Sequence, residues 1–233
     1  MVRSIDTSGT QRNEVDRRQR LGKLVALVAD RDRRTALLVK RILFTLGFRN
    51  LDIATSGEEA LQFLGERVYD MIITEWDMEP VDGLELVKAI RSAQTDARIR
   101  RDIPIVMLTA QADVDSVRVA RDAGITEFVA KPFSAQTISH RMIQIIDNPR
   151  AFVESPKFVG PDRRRRGKPP EGVHERRVRT TPPALPPNTS LKAQLGGMAA
   201  SEIISASVVE RAQLELANFE GEFIDWARED ILA

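Results

Sequence analysis

The stretch YDMIITEWDMEPVDGLEL, residues 69–86, starts as an apolar run (Met71, Ile72, Ile73) and breaks into acid at Glu75 and Asp77 before a Pro80–Val81–Asp82–Gly83 turn. Three other apolar runs end in groups that do chemistry. KLVALVA (23–29) runs into Asp30, Arg31 and Asp32, IPIVMLTA (103–110) contains Thr109, and EFVA (127–130) leads into Lys131–Pro132. Carboxylates are hard oxygen donors for a cation, while a hydroxyl and an ammonium contact an anion. A second chemical feature lies downstream. GPDRRRRG (160–167) is echoed by VHERRVRT (173–180), so that Asp162 aligns with Glu175, Arg163 and Arg164 with Arg176 and Arg177, and Arg166 with Arg179. Guanidinium groups clamp phosphates bidentately and stack on aromatic rings. They also pair with guanine O6 and N7, and a neighbouring carboxylate can accept from guanine N–H groups.

The elements that position these groups follow from periodicity. Helical patterns are expected over about 33–46, stopped by Gly47, then 58–66, 84–93, 113–123 (ending at Gly124) and 134–147. They alternate with apolar runs at 23–29, 51–54, 69–75, 103–110 and 127–130. Five strands so uniformly apolar must be buried on both faces, which implies a doubly wound parallel α/β sheet covered by helices. Ligands of such sheets sit beyond the carboxyl ends of the strands, where Asp30, Glu75, Thr109 and Lys131 fall.

Outside this core the composition changes. Residues 1–21 read as a disordered polar tail around a domain at 22–148. Nine of the twelve prolines lie between 149 and 187, and residues 149–181 carry ten Lys/Arg against four Asp/Glu. We expect a disordered Pro/Arg-rich basic linker over 149–198. Residues 201–233 reverse the charge, with eight acids and two arginines. Ile204, Val208, Leu216, Phe219, Phe223, Trp226 and Ile231 recur there at roughly helical spacing, so 199–233 is expected to form an amphipathic helix. That helix could dock on a partner, dimerise, fold back on its own chain, or simply cap an apolar face.

Composition excludes several classes. With no cysteine there is no disulfide framework, thiolate metal site or catalytic thiol. Residues 1–20 lack the apolar stretch of a signal peptide, and no run approaches the roughly 18 apolar residues of a membrane span. A cytoplasmic protein is expected. Net charge is +1 and no aromatics interleave the arginines, which counts against nucleic acid.

The acid pair after the first strand, the acid ending the third, the hydroxyl of the fourth and Lys-Pro after the fifth resemble the receiver domain of bacterial two-component response regulators, the CheY-like fold. LGF (46–48), DGLEL (82–86), LTA (108–110) and AKPF (130–133) carry the likeness over about residues 22–148. The alternative is another flavodoxin-like domain with chance acids at these positions. The resemblance implies a pocket of Asp30, Arg31, Asp32, Asp77, Thr109 and Lys131 around the acceptor-equivalent Glu75. It also implies a switching aromatic at Phe128 and a cis Lys131–Pro132 bond. In the family an aspartate stands where Glu75 is, and a second metal-binding acid stands where Arg31 is. A guanidinium there repels Mg²⁺, and the longer glutamate loses in-line geometry. We therefore expect a degenerate pseudo-receiver with no resident metal and no catalytic residues. Glu75 either pairs with Arg31 or Lys131 in a scaffold-like pocket, the reading favoured, or imitates the phosphorylated state by reaching toward Thr109 and Lys131. The competing expectation is a phosphorelay response regulator using an atypical acceptor. The arginine stretch (Asp162, Arg163, Arg164, Arg165, Arg166, Arg176, Arg177) is similar to the extensions of CheY-like chemotaxis and motility proteins that bind cyclic di-GMP. It reads equally as a solvated basic linker. Protein partners are expected through the receiver face or the C-terminal helix.

Overall fold

The computed structural model describes residues 21–93, 98–163, 208–214 and 217. Five strands, β1 (Val25–Ala29), β2 (Asn50–Ala54), β3 (Met71–Glu75), β4 (Ile105–Thr109) and β5 (Glu127–Ala130), form one sheet in the order β2-β1-β3-β4-β5. Every pairing is parallel, with Leu27 opposite Ile72 and Ile73 opposite Val106. The helices α1 (Arg33–Leu46), α2 (Gly57–Glu66), α3 (Gly83–Ser92), α4 (Val114–Ala123) and α5 (Ala135–Asp147) connect them. This is the doubly wound, CheY-like sheet expected from the alternating runs.

Alternation along each strand divides the core into two layers. Ala26, Val28, Met71, Ile73, Val106 and Leu108 face the side covered by α1 and α5. Leu27, Ala29, Ile72, Ile105 and Met107 face the side covered by α2 and α3, with Ala120 of α4. Burial on both faces is why β1, β3 and β4 carry no polar alternation, whereas edge strand β2 keeps Asn50 and Asp52 half-buried.

Each of these five helices begins with an Asp or Ser accepting a backbone N–H: Asp32, Ser56, Asp82, Asp113 and Ser134. Asp82 and Glu85 complete a reciprocal capping box. These caps occupy the strand-to-helix loops and fix where each strand end releases its side chain. Both Lys131–Pro132 and Glu79–Pro80 are cis, the second without a foreshadowing in the sequence.

The expected boundaries need correction at both ends. Leu21 is fully buried, and Asn50 Nδ2 donates to Gly22 O, so the folded unit starts before residue 22. The segment expected as linker from 149 opens instead with an antiparallel hairpin, β6 (Phe152–Ser155) and β7 (Phe158–Pro161). It packs where α3 and α4 end, at the amino edge of the sheet. Arg150 pairs with buried Glu127 at 2.6 Å and Arg101 with Glu154 at 3.2 Å. Arg91 lies 5.6 Å from the Phe152 ring centroid and donates to Gly124 O. Prolines 149, 156 and 161 suggested a breaker-rich coil, but they stand before, between and at the end of four-residue strands, where Pro is tolerated. Of the C-terminal helix expected over 199–233, the described part is a helical segment, α6, at 208–214. The remainder of that helix lies outside the described residues, as do the tail 1–20 and most of the linker. Among the described residues no helix is long and apolar enough to cross a membrane.

Gly124 shows how closely the hairpin sits. Its φ is 102°, and a Cβ there would lie 2.6 Å from Val159 O. Gly65, inside α2, would meet nothing within 4 Å. Gly124→Ala should therefore cost about 1–3 kcal/mol through backbone strain and overlap. Gly65→Ala should gain about 0.5–1 kcal/mol from helix propensity. Urea unfolding of the two variants beside the unsubstituted chain checks the opposite signs.

Candidate functional site

The carboxyl ends of β1, β3 and β5 converge on one buried cluster. Asp30, just after β1, is 3% exposed, and its backbone N–H is held by Ala54 O. Its Oδ1 accepts from Asp32 N at 2.9 Å and its Oδ2 from Lys131 Nζ at 2.8 Å. Lys131 Nζ also contacts Glu75 Oε2. The other oxygen, Glu75 Oε1, accepts from Trp76 N at 2.6 Å and Asp77 N at 3.3 Å. One ammonium thus sits between two buried carboxylates, each of which is anchored through its second oxygen to its own loop.

The electrostatics follow from that arrangement. Burial pushes the Asp30 carboxyl above the usual range, Lys131 offsets part of the shift, and the nearby Glu75 adds to it. Burial alone would lower Lys131, but hydrogen bonds and charge attraction from Asp30 and Glu75 outweigh it and hold the ammonium above its ordinary value. The Lys131 backbone N–H is fixed by Thr109 O at 2.8 Å, which places the ammonium's stem beside β4.

The other expected pocket residues stand around this trio in different states. Arg31 pairs with Asp77 at 2.8 Å, and both side chains are more than half exposed, so the bridge contributes little energy while spanning the pocket mouth. Glu75 therefore pairs with Lys131 rather than Arg31. Asp32 is turned to the start of α1, accepting from Arg34 N and Thr35 Oγ1. Burial would raise its carboxyl, but those bonds from Thr35 and Arg34 hold it below the usual range. Thr109 is buried, and its Oγ1 accepts from Gln111 N at 3.1 Å. None of the described hydrogen bonds joins Thr109 to Glu75. Phe128 is half-buried against the α2–α3 layer, as is Trp76.

The DGLEL motif has a geometric reason. Gly83 N donates to Trp76 O at 2.8 Å, and a Cβ on Gly83 would fall 1.9 Å from Glu75 O. Only a glycine lets the start of α3 close over the end of β3, and this closure fixes the direction of the Glu75 side chain.

Of the arginine stretch, Asp162 and Arg163 are described, and neither belongs to this pocket. They follow β7 at the opposite edge of the sheet. Asp162 N donates to Ala151 O, closing the hairpin. The Arg163 guanidinium lies 3.9 Å from the Phe158 ring centroid and 3.2 Å from Asp122 of α4. Arg164, Arg165, Arg166, Arg176 and Arg177 lie outside the described residues. Sequence reasoning missed three buried charges: Arg91, Glu127 and Asp70, whose Oδ2 accepts from Val25 N at 2.9 Å. Arg91 is 3% exposed, its Nη2 has no hydrogen-bond partner among the described residues, and burial lowers the guanidinium pKa to about 9. Glu127 is clasped by Arg141 and Arg150. What Arg91 and Glu127 face, Gly124 O and Arg101 O for the one and Arg141 and Arg150 for the other, is set by tertiary packing.

The chain was compared with known proteins. The family model described as "Response regulator receiver domain" matches residues 26–143. Chemotaxis protein CheY of Pseudomonas aeruginosa is 34% identical over 110 residues, which cover 47% of this chain and 86% of that protein. Chemotaxis protein CheY-3 of Vibrio cholerae is 33% identical over 110 residues, covering 47% and 82%. Among solved structures, a putative response regulator from Chloroflexus aurantiacus is 31% identical with a TM-score of 0.48, covering 53% of this chain and 98% of that one.

Removing the ammonium leaves two buried like charges face to face. Lys131→Met should destabilise the fold by about 3–5 kcal/mol. The sign of its pH dependence follows from Asp30. A carboxyl raised in the folded state contributes stability that is present at low pH and lost as pH rises through the raised value. In the variant the lowering influence of Lys131 on Asp30 is gone, so stability should increase as pH falls from neutral toward about pH 5. Denaturant melts across that range check both the size and the slope.

Proposed function

The chain belongs to the response regulator receiver family, and we propose that within it this protein is a signalling adaptor whose output does not depend on phosphorylation. The observation that carries the reading is the Lys131 ammonium lodged between Asp30 and Glu75. In the family that volume serves a divalent cation and a phosphoryl group. Here the carboxylate oxygens facing it are engaged by the chain's own cation, Arg31 replaces the second metal-binding acid, and Asp32 is spent on capping α1. The donor set does not fit Mg²⁺, which demands a near-octahedral shell of hard oxygens. Glu75 bonds to Lys131 and to the amides of its own turn, while Thr109 bonds elsewhere; this supports a scaffold-like pocket over imitation of the phosphorylated state.

The input is then sought elsewhere. We read the arginine stretch as the ligand-binding element, with cyclic di-GMP as its ligand. Arg163 supports this because its guanidinium is already presented as a plane on Phe158, beside Asp162. The similarity to chemotaxis proteins suits a role in motility signalling, with a protein partner reading out the receiver face or the C-terminal helix.

Two measurements test the two halves. Incubation with acetyl phosphate and Mg²⁺ should yield no hydroxylamine-sensitive phosphoryl adduct by mass spectrometry. An adduct at Glu75 or Asp77 would support instead a phosphorelay regulator with an atypical acceptor. Calorimetry with cyclic di-GMP should show Arg163→Lys/Arg164→Lys weakened by roughly 1–3 kcal/mol per bidentate contact broken, although charge is kept. Asp162→Ala should also weaken binding. Retention of affinity by both variants, or equal competition by duplex DNA, would leave only a basic linker.

A further inference from the structure

The segment 208–214 is distant from the receiver in sequence, yet Val208 is 2% exposed and Ala212 fully buried. Both belong to the core cluster built by α1, α5 and one face of the sheet, and Val209 packs at its margin. A spacing of four puts Val208 and Ala212 on one side of a helix, leaving Glu210, Arg211, Gln213 and Leu214 exposed. Charge favours the same pairing. Helix α1 carries Arg33, Arg34, Lys40 and Arg41 and no acid, whereas residues 201–233 hold eight acids and two arginines.

We infer that the α1–α5 face is a helix-docking surface whose occupant is the chain's own acidic C-terminal segment, so that a partner for this face must displace it. The contact is built for release. Among the described residues it buries one valine and one alanine, with Val209 at the margin, and no leucine or aromatic side chain. The intervening chain, residues 164–207, keeps the segment at high effective concentration without making the contact permanent. Leu37 and Phe44 of α1 stay exposed and give a displacing helix apolar surface on the same helix. The inference goes beyond the adaptor reading and does not depend on whether Glu75 accepts a phosphoryl group.

The absence of cysteine makes the test direct. A nitroxide attached to the full chain at Gln213→Cys should broaden amide resonances of α1 and α5 selectively, and the broadening should persist on serial dilution. Adding Ala212→Glu, which puts a charge in the buried position, should abolish it while strand resonances stay in place. Absence of broadening at α1 and α5 in the singly labelled chain would overturn the inference. So would its loss on dilution, or its appearance on an unlabelled chain mixed in, since either assigns the face to a second copy. If Ala212→Glu disturbs the strands, Val208→Ser serves in its place, and broadening as strong as in the parent would also overturn it.

Discussion

A single ammonium, Lys131 Nζ, ties together the carboxyl ends of β1, β3 and β5 by contacting Asp30 and Glu75 at once. Unit charges at about 4 Å attract by about 4 kcal/mol in a medium of effective dielectric 20, but desolvating each ion costs several kcal/mol, so the net stability is small. What the cluster supplies is position. Two ionised carboxylates repel strongly in a buried space unless a cation stands between them, and here the cation is covalently part of the chain. The loop geometry around it, from the Gly83 approach to the Asp32 cap, holds the carboxylates toward the lysine. The three charged groups form an ion triplet internal to the chain.

This constraint explains the states of the neighbouring residues. Arg31 has no free carboxylate inside the pocket, so it turns outward to Asp77. Thr109 Oγ1 accepts from the Gln111 amide. The structured additions lie elsewhere. The β6–β7 hairpin closes the amino edge of the sheet, and α6 covers part of the α1–α5 side. Both are continuous in sequence with regions of extreme charge, the arginine stretch and the acidic tail.

Much of this was legible in residue order. Mostly apolar runs of four or five residues, each followed by an Asp or Ser cap and a helical period, leave little besides a parallel sheet covered on both faces. The strand ends of such a sheet name their own site, so Asp30, Glu75, Thr109 and Lys131 could be picked out before any coordinates. Less was legible where signals conflict. Phe152–Pro161 mixes strand formers with three nearby prolines, and local preference alone reads it as coil. The hairpin exists because Gly124 admits Val159 and because Glu127, Arg91 and Arg101 give its charges and aromatic rings something to pack on, contacts that join residues far apart in the chain.

The same division holds for the site. Sequence by itself determined which chemical groups gather at the strand ends, because period and burial set which residues emerge there. It also determined that the expected aspartate is a glutamate and the second acid an arginine. Only the tertiary structure decided who pairs with whom. Whether Glu75 meets Arg31, Lys131 or Thr109 depends on distances of a few ångströms between loops from different strands, and on the Gly83 contact that aims the side chain. Pairings of that kind are set by packing in three dimensions, and no periodicity along the chain encodes them.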